Sequence, residues 1–235
     1  RSGLLTKLLE SITAMDPKPG HVVIVDNAST DDTTAVVEAF RERLGAELVY
    51  RRLDENTGGS GGFSEGMRVA YELGSTWIWL MDDDVEVLPD GLAKMGAWAP
   101  RFKSIQGRRY DFDGSEFYWQ YRVAEPLAIP IPFAPSGFDE SGYKEMNSGC
   151  FEGMFIHRDI VGQIGLPDPR FFIYWDDQTY GWLAHHTLGH RQRVRAASHA
   201  RDQAVGHGHP AHERVEQRVP VLHHAQPRDH QALLP

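Results

Sequence analysis

The sequence predicts an α/β fold built on a mostly parallel sheet flanked by helices, and two observations carry that prediction. Short β-branched segments alternate with amphipathic segments through residues 1–81, which is the pattern of parallel strands joined by helices. Two of the expected strands end in acidic loops, which begin at Asp26 and Asp82. Because ligands of such sheets gather at the carboxyl ends of the strands, these loops mark the expected functional site.

The individual elements follow from hydrophobic spacing and from glycine and proline breaks. In chain order the pattern predicts a helix over 3–15, a strand over 21–25, a helix over 32–44, a strand over 46–51, a glycine-rich turn over 58–62 followed by a helix, and a strand over 77–81. We expect Ser64 to begin the third helix. Gly45 and Gly74 are expected to end the second and third helices.

Residues 107–145 depart from this alternation, since they are aromatic, rich in proline and without a clear period. Four prolines between 126 and 135 exclude a helix there. The segment is either an ordered excursion that binds an acceptor or a plain surface loop. A buried pattern returns over 147–156, and a second apolar segment over 171–175 ends in Asp176 and Asp177.

Length and composition bound the class of protein. A chain of 235 residues with 41% hydrophobic and 24% charged residues fits one globular domain. The net charge of -9 argues against a nucleic-acid partner. Cys150 is the single cysteine, which excludes an internal disulfide and suits a reducing compartment. No membrane span or secretory signal is recognisable, and because the chain begins at Arg1 we expect its true start to lie upstream.

The last 51 residues differ from the rest, so we divide the chain into a folded domain over 1–184 and an atypical tail over 185–235. The tail holds ten of the twelve histidines and no aromatic residue, so it has little with which to build a core. Three interpretations stay open: a natural disordered tail, a histidine-rich metal-binding tract, and an out-of-frame translation. The abruptness of the change favours the last.

The acidic run from Asp82 to Asp84 follows an apolar strand, where three carboxylates are costly unless a cation or solvent accepts their charge. In an extended segment Asp82 and Asp84 point to the same side, and two such carboxylates can grip Mg²⁺ or Mn²⁺. The alternative is a solvated acidic loop. Asp26 ends its strand similarly and is expected to accept a hydrogen bond from a base or ribose, the alternative being an Asx-turn or helix cap.

Two further motifs are candidates for the site. The glycine-rich segment, with Gly58, Gly59, Gly61 and Gly62, lets the backbone pass close to a ligand; it lacks the Lys-Ser/Thr pair of a Walker-type phosphate loop, and a flexible turn is the alternative. Asp176 and Asp177 follow an aromatic run, and a carboxylate beside an apolar wall suits a general base. A helix cap is the alternative there. The segment 147–150 is expected to line the site, with Cys150 as a small buried residue.

Taken in order, these motifs resemble the family 2 glycosyltransferases of the GT-A fold over residues 1–184. The strand and loop at 23–33 are similar to that family's nucleotide-binding loop. The pairing of 56–63 with 77–84 is similar to the bacterial galactofuranosyltransferases and their rhamnosyltransferase-like relatives. The segment 172–177 resembles the acidic motif that supplies their catalytic base.

The resemblance implies an inverting transfer, dependent on Mn²⁺ or Mg²⁺, from a UDP- or dTDP-sugar to a hydroxyl of a glycan or lipid-linked acceptor. It also implies that the enzyme acts in the cytoplasm, at the inner face of the plasma membrane. It assigns Asp177 as the base with Asp176 assisting, and Asp82, Asp84 and His199 to the metal. The residues that it implies for the nucleotide-sugar are Asp26, Asn27, Asn56, Gly58, Gly59, Gly61, Gly62 and Asp83.

Two departures from the family pattern leave alternatives. The family's central first strand is expected before Arg1 and is absent, which would leave backbone groups of the sheet unpaired. After residue 184 the family pattern is replaced by the tail, where His199 is the one candidate ligand. A sugar-phosphate nucleotidyltransferase, or an inactive fragment that still binds nucleotide, are therefore the competing hypotheses.

Overall fold

The computed structural model describes residues 1–115, 121–132 and 142–187, together with the backbone of 195–197 and 205–207. The helices are α1 (Ser2–Thr13), α2 (Thr33–Phe40), α3 (Gly58–Glu72), α4 (Gly91–Trp98), α5 (Arg158–Ile164) and α6 (Asp176–Thr187), and a short 3₁₀ helix spans Pro169–Phe171. The strands are β1 (His21–Asp26), β2 (Glu47–Arg52), β3 (Trp77–Trp79), β4 (Val85–Val87), β5 (Ser104–Gly107), β6 (Arg109–Asp111), β7 (Tyr121–Ala124), β8 (Ile129–Pro132), β9 (Tyr143–Glu145), β10 (Met154–His157), β11 (Arg195–Ala197) and β12 (Val205–His207).

Helices and strands alternate through the first half of the chain, which confirms the predicted α/β class. Strands β1 and β2 are parallel, with Asp26 opposite Arg52 at their carboxyl ends. The five-stranded sheet, in the order β3-β10-β5-β11-β9, is mixed rather than mostly parallel, because β10 runs antiparallel to both β3 and β5. A second sheet has the order β4-β12-β6, and β7 and β8 form an antiparallel pair.

Two groups of buried apolar side chains hold these layers together. The larger packs the inner face of α1, including Leu5 and Leu9, against α2, β4 and the aromatic side chains of β3 and β10. The smaller joins α3, β3, β10, α5 and α6 through residues such as Met67 and Ile156. Burial of these side chains is the main favourable term in folding, and it fixes where the loops at the strand ends project.

An apolar cavity of about 510 Å³ lies between β1 and β3, roofed by α1. Within the described residues β1 pairs with β2 alone and β3 with β10 alone. Both strands therefore carry one edge without a described neighbour. The wall of the cavity reaches Asp82 and Asp83, so these edges border the acidic loop.

Several predicted boundaries need correction. Helix α2 ends at Phe40 instead of 44, because the following turns bond at the tighter i to i+3 spacing, as from Arg43 N to Phe40 O. Helix α3 begins at Gly58, so the glycines form its first turn and Ser64 does not cap it. Strand β3 ends at Trp79, and two residues separate it from the acidic turn.

The proline-rich region 107–145 contains short strands but no helix in its described part. Both prolines of β8 lie on a strand that has one described neighbour, which is where proline is tolerated. Across the described ranges, none of the helices has the length and hydropathy needed to cross a membrane. The backbone of β11 and β12, from the predicted tail, pairs with β5, β9, β4 and β6.

Candidate active site

Asp26 lies buried at the carboxyl end of β1, with 2% of its surface exposed. Its carboxylate accepts hydrogen bonds from Ser29 N at 2.7 Å, Tyr50 Oη at 2.5 Å and Arg52 Nη1 at 2.6 Å. Burial alone would raise its pKa, but the bonds from Ser29, Tyr50 and Arg52 outweigh it and lower the pKa. Asp26 is therefore a fixed anion that orders the 27–31 loop, the Asx-type role given above as its alternative.

Tyr50→Phe should destabilise the fold by about 1–2 kcal/mol, because it removes a donor to a buried carboxylate. Urea unfolding of the variant and the wild type would measure the difference. Thr34→Ala is the matched control, since the exposed Thr34 hydroxyl contacts Tyr50 Oη at 2.9 Å without touching Asp26. Equal destabilisation by both variants would show that the bond to Asp26 contributes nothing.

The Asn27 side chain forms hydrogen bonds with the backbone at the start of α3. Its Oδ1 accepts from Thr57 N at 2.8 Å, and its Nδ2 donates to Gly58 O at 2.8 Å. Asn56 Oδ1 accepts from Gly58 N at 2.9 Å. These bonds satisfy backbone donors that a helix start leaves without partners, which explains why the helix begins at the first glycine.

The four glycines of this motif serve different purposes. Gly58 has φ of 74°, and a Cβ there would collide with the backbone of Phe172. A Cβ on Gly61 would collide with the side chain that precedes the helix. Gly59 faces open space, and Gly62 has only the Asn27 amide near it, at 3.9 Å. Gly58 therefore packs against the segment that carries the candidate base, whereas Gly59 and Gly62 leave space beside the backbone for a ligand.

The acidic run forms a turn. Asp82 is half-buried in irregular backbone, and Asp83 and Asp84 lie in the turn before β4. The extended chain that was assumed for Asp82 and Asp84 is therefore wrong, and their placement on the same side stays a prediction. The Arg1 guanidinium pairs with Asp83 and reaches Asp84 Oδ2 at 3.5 Å, so a cationic side chain already satisfies part of this anionic cluster.

Asp82 has the most perturbed carboxyl of the run. Burial raises its pKa well above the usual range, and the nearby charges of Glu152, Asp84 and Asp83 raise it further. Glu152 was missed by the sequence analysis. It lies two residues before β10, at the amino end of a strand, whereas the acidic residues that the sequence analysis selected follow the carboxyl ends of strands.

Asp176 and Asp177 open α6, as the helix-cap alternative also allowed. Burial and the charge of Asp176 raise the pKa of Asp177 to about 6. Burial also raises the pKa of Asp176, against a hydrogen bond from Ser60. Ser60 Oγ donates to Asp168 O at 2.7 Å and lies near enough to Asp176 to act on its pKa, so the glycine motif and the segment that carries the two aspartates are in contact.

The backbone before the helix is strained. Phe172, Tyr174 and Trp175 all have positive φ, between 59° and 72°, a conformation that costs non-glycine residues about 1–3 kcal/mol each. Ser60 N donates to Phe172 O at 3.2 Å, and Thr179 N donates to Trp175 O at 2.9 Å. Such a conformation persists only where neighbouring contacts stabilise it. Here the bond from Ser60 N holds Phe172 beside the glycine motif, and Asp176 and Asp177 follow four and five residues later.

The candidate base and the acidic run face a common loop, residues 150–152. The Cys150 thiol lies near enough to Asp177 to lower the pKa of that carboxyl, and the charge of Glu152 raises the pKa of Asp82. Arg109 joins the two, since its Nη1 donates to Cys150 Sγ at 3.2 Å and to Glu152 Oε2 at 2.5 Å. The 150–152 loop therefore connects Asp177 with the acidic run through Arg109.

The acidic run fits a divalent cation in its chemistry, because carboxylate oxygens are the ligands that Mg²⁺ and Mn²⁺ prefer. The mutual repulsion that raises the pKa of Asp82 is the repulsion that a bound cation relieves. In the described ranges no three His, Cys, Asp or Glu side chains are already grouped as a metal site, and Arg1 holds Asp83. His199 lies outside the described residues.

A family model described as glycosyl transferase family 2 matches residues 1–165. The chain is 37% identical over 190 residues to the galactofuranosyltransferase GlfT1 of Mycolicibacterium smegmatis, covering 75% of the chain and 59% of that relative. It is 26% identical over 203 residues to an N-acetylglucosaminyl-diphospho-decaprenol L-rhamnosyltransferase of Mycobacterium tuberculosis, covering 75% and 64%. The chain thus spans about three fifths of the length of the curated relatives it matches.

Solved structures with the same fold include S. aureus TarS, with a TM-score of 0.64 and 18% identity over 87% of this chain and 34% of the other. GalNAc-T7 with UDP, GalNAc and Mn²⁺ has a TM-score of 0.62 and 16% identity, over 90% and 43%. Both likenesses concern the fold, and they confirm the GT-A architecture predicted from the motifs.

Proposed function

Because the chain belongs to glycosyltransferase family 2, we propose that it moves a sugar from a nucleotide-sugar donor to an acceptor hydroxyl with inversion at the anomeric carbon. Galactofuranose and rhamnose are the proposed sugars, carried by UDP or dTDP, because the relatives named above transfer them. A glycan or lipid-linked acceptor at the cytoplasmic face of a membrane is proposed on the same ground.

One observation supports this function most strongly: a carboxylate with raised proton affinity faces the loop that also approaches the acidic run. With a pKa of about 6, Asp177 is mostly ionised at neutral pH, yet it accepts a proton more readily than an ordinary carboxylate. It is proposed to take the proton of the acceptor hydroxyl as the oxygen attacks. Asp176 shares the apolar setting and keeps that proton affinity high.

The other residues are proposed to bind and orient the donor. Asp26, with the loop that it orders, would accept hydrogen bonds from the base, and Asn27 and Asn56 hold the glycine face beside it. Gly59 and Gly62 leave room there for a ligand to approach the backbone. Asp83 would reach the ribose or phosphates once Arg1 moves away.

Mn²⁺ or Mg²⁺ would be held by Asp82 and Asp84, and when bound it supplies positive charge that stabilises a leaving diphosphate. His199 is retained as a proposed third ligand. Asp82, with its raised pKa, must lose its proton to take this role, so we expect donor binding to strengthen as pH rises.

Titration calorimetry with UDP-galactofuranose, UDP-galactose and dTDP-rhamnose, each with and without Mn²⁺, tests the proposal. We expect saturable binding of one donor that depends on Mn²⁺, and Asp82→Asn should weaken it at least about tenfold, because one charge-assisted contact is worth about 1.5–3 kcal/mol. Asp90→Asn is the control, since Asp90 pairs with Lys94 on α4. Pyrophosphate release from a nucleoside triphosphate would instead support a nucleotidyltransferase.

A further inference from the structure

A buried arginine lies behind the candidate base. Arg109, on β6, has 1% of its surface exposed. It pairs with Glu152 Oε2 at 2.5 Å and donates to Cys150 Sγ at 3.2 Å. Burial would lower its pKa, but the acidic groups around it, led by Cys150 and Glu152 and including Asp177, raise it. The guanidinium is therefore a permanent positive charge beneath the site.

The loop that carries its partners is held firmly. Gln106, 2% exposed on β5, accepts from Cys150 N at 3.0 Å and donates to Glu152 O at 2.9 Å. These two bonds fix both ends of the segment 150–152 against the sheet. The backbone of Cys150 is therefore held in place, and its thiol accepts from Arg109 Nη1 at 3.2 Å and lies near enough to Asp177 to lower the pKa of that carboxyl.

A purely structural purpose would not require a charge here. Taking the Arg109 guanidinium out of water carries a desolvation cost, while Glu152, 24% exposed, keeps part of its contact with solvent. Well-packed apolar side chains of similar volume are often as stable as such a pair. What the charge does supply is an electrostatic influence on Asp177, whose proton affinity it lowers. Burial, and after it the charge of Asp176 on the same helix, act on the pKa of Asp177 in the opposite direction.

We propose that Arg109 is a positioning residue for Asp177, acting through the Cys150 thiol, with Glu152 holding Arg109 in place. The thiol orients the carboxylate, and the guanidinium behind it keeps that carboxylate ionised at neutral pH although it is buried. The inference rests on the proposed function, because it takes Asp177 as the base.

The test is a carbon-13 NMR titration of the aspartate carboxyls in the whole protein, with Asp177→Asn used to assign the signal. Arg109→Met removes a positive charge near Asp177, so the titration midpoint of the Asp177 carboxyl should rise by about one pH unit. Arg109→Lys, which keeps the charge, should stay within about 0.3 of a unit of the wild type. Arg108→Met is the matched control, because the Arg108 guanidinium stacks over Tyr110 at 5.0 Å, and it should leave the midpoint unchanged.

Cys150→Val is the second variant, for the case in which Arg109→Met does not fold. It removes the thiol that lowers the pKa of Asp177 and keeps a similar side-chain volume. The Asp177 titration midpoint should rise in this variant too. An unchanged midpoint in whichever of these variants folds overturns the proposal. In active protein the acid limb of kcat/KM should move with the midpoint, which a loss of stability alone would not produce. The NMR result needs no turnover, so absence of sugar transfer would overturn the proposed function while leaving this inference to be decided by the titration.

Discussion

The Asp177→Asn variant is expected to lose about 10²–10⁴-fold in kcat, the usual contribution of a general base. The amide keeps the shape of the carboxylate but cannot take the proton of the acceptor hydroxyl. Donor binding should change little, because the Asp177 carboxylate is proposed to act on the acceptor hydroxyl and not on the nucleotide or the metal. Single-turnover kinetics beside donor calorimetry would separate the two. A kcat within fivefold of wild type would remove Asp177 from the role of base.

The same substitution should stabilise the fold at neutral and alkaline pH. The pKa of Asp177 is about 6 in the folded state against 3.8 as the ordinary value, so the folded state holds its proton more tightly than the unfolded state. Stability is therefore lost as pH rises from about 4 to about 6, and above that the buried carboxylate costs about 2–3 kcal/mol. The asparagine variant should gain roughly that amount at pH 8 and little at pH 4.

Thermal unfolding at pH 4 and pH 8 measures this pattern. Asp168→Asn is a suitable comparison because Arg170 lowers the pKa of Asp168 to about 2, and its contribution is present above the ordinary pKa and lost as pH falls. Because that loss lies below the ordinary carboxyl pKa of 3.8, Asp168→Asn should cost nearly the same stability at pH 4 and pH 8, whereas the effect of Asp177→Asn should grow between them. A less stable Asp177→Asn protein at pH 8 would contradict the burial argument.

Gly181→Ala is expected to cause the largest loss of stability, about 2–4 kcal/mol. Gly181 is buried in α6, and a Cβ there would collide with the backbone nitrogen and Cα of Gly149 and with the backbone carbon of Ser148. These are backbone atoms, so no side chain can rotate away to make room. The helix that carries Asp177 would be pushed off the loop that carries Cys150.

Gly96→Ala is the control for Gly181→Ala, since Gly96 is also helical but has nothing within 4 Å of an added Cβ. It should raise stability by about 0.5–1 kcal/mol through the better helix propensity of alanine. Urea unfolding of both variants checks the difference. Equal stability of Gly181→Ala and Gly96→Ala would contradict the close packing of α6 on the loop at Gly149.

The sequence was informative where local patterns determine structure. The β-branched run before Asp26 and the leucine spacing of α1 placed those elements within two residues. The start of α3 was mispredicted because Asn27, some thirty residues away, satisfies its first turn. No local signal in the glycines themselves reports such a partner.

In the candidate site, too, some residues could be recognised from local sequence patterns and others could not. Asp26, Asp82 and Asp177 were recognisable because carboxylates at strand and helix ends have few roles besides caps and ligands. Arg109 and Glu152 escaped notice, since their pairing depends on β6 and the 150–152 loop meeting across the sheet. A one-dimensional pattern carries no register between segments so far apart. The turn at Asp83 and Asp84 likewise depends on Arg1, which lies far from it in sequence.

The central claim is that the acidic run and Asp177 form one donor site, and paramagnetic broadening by Mn²⁺ with UDP tests it directly. Carbon-13 carboxyl signals of Asp82 and Asp177 should both broaden on addition of the complex. Asp159, which pairs with Lys103 and follows the opposite end of β10 from Glu152, should stay sharp. Broadening of Asp82 while Asp177 stays as sharp as Asp159 would contradict the account, because the proposed base would then lie away from the donor.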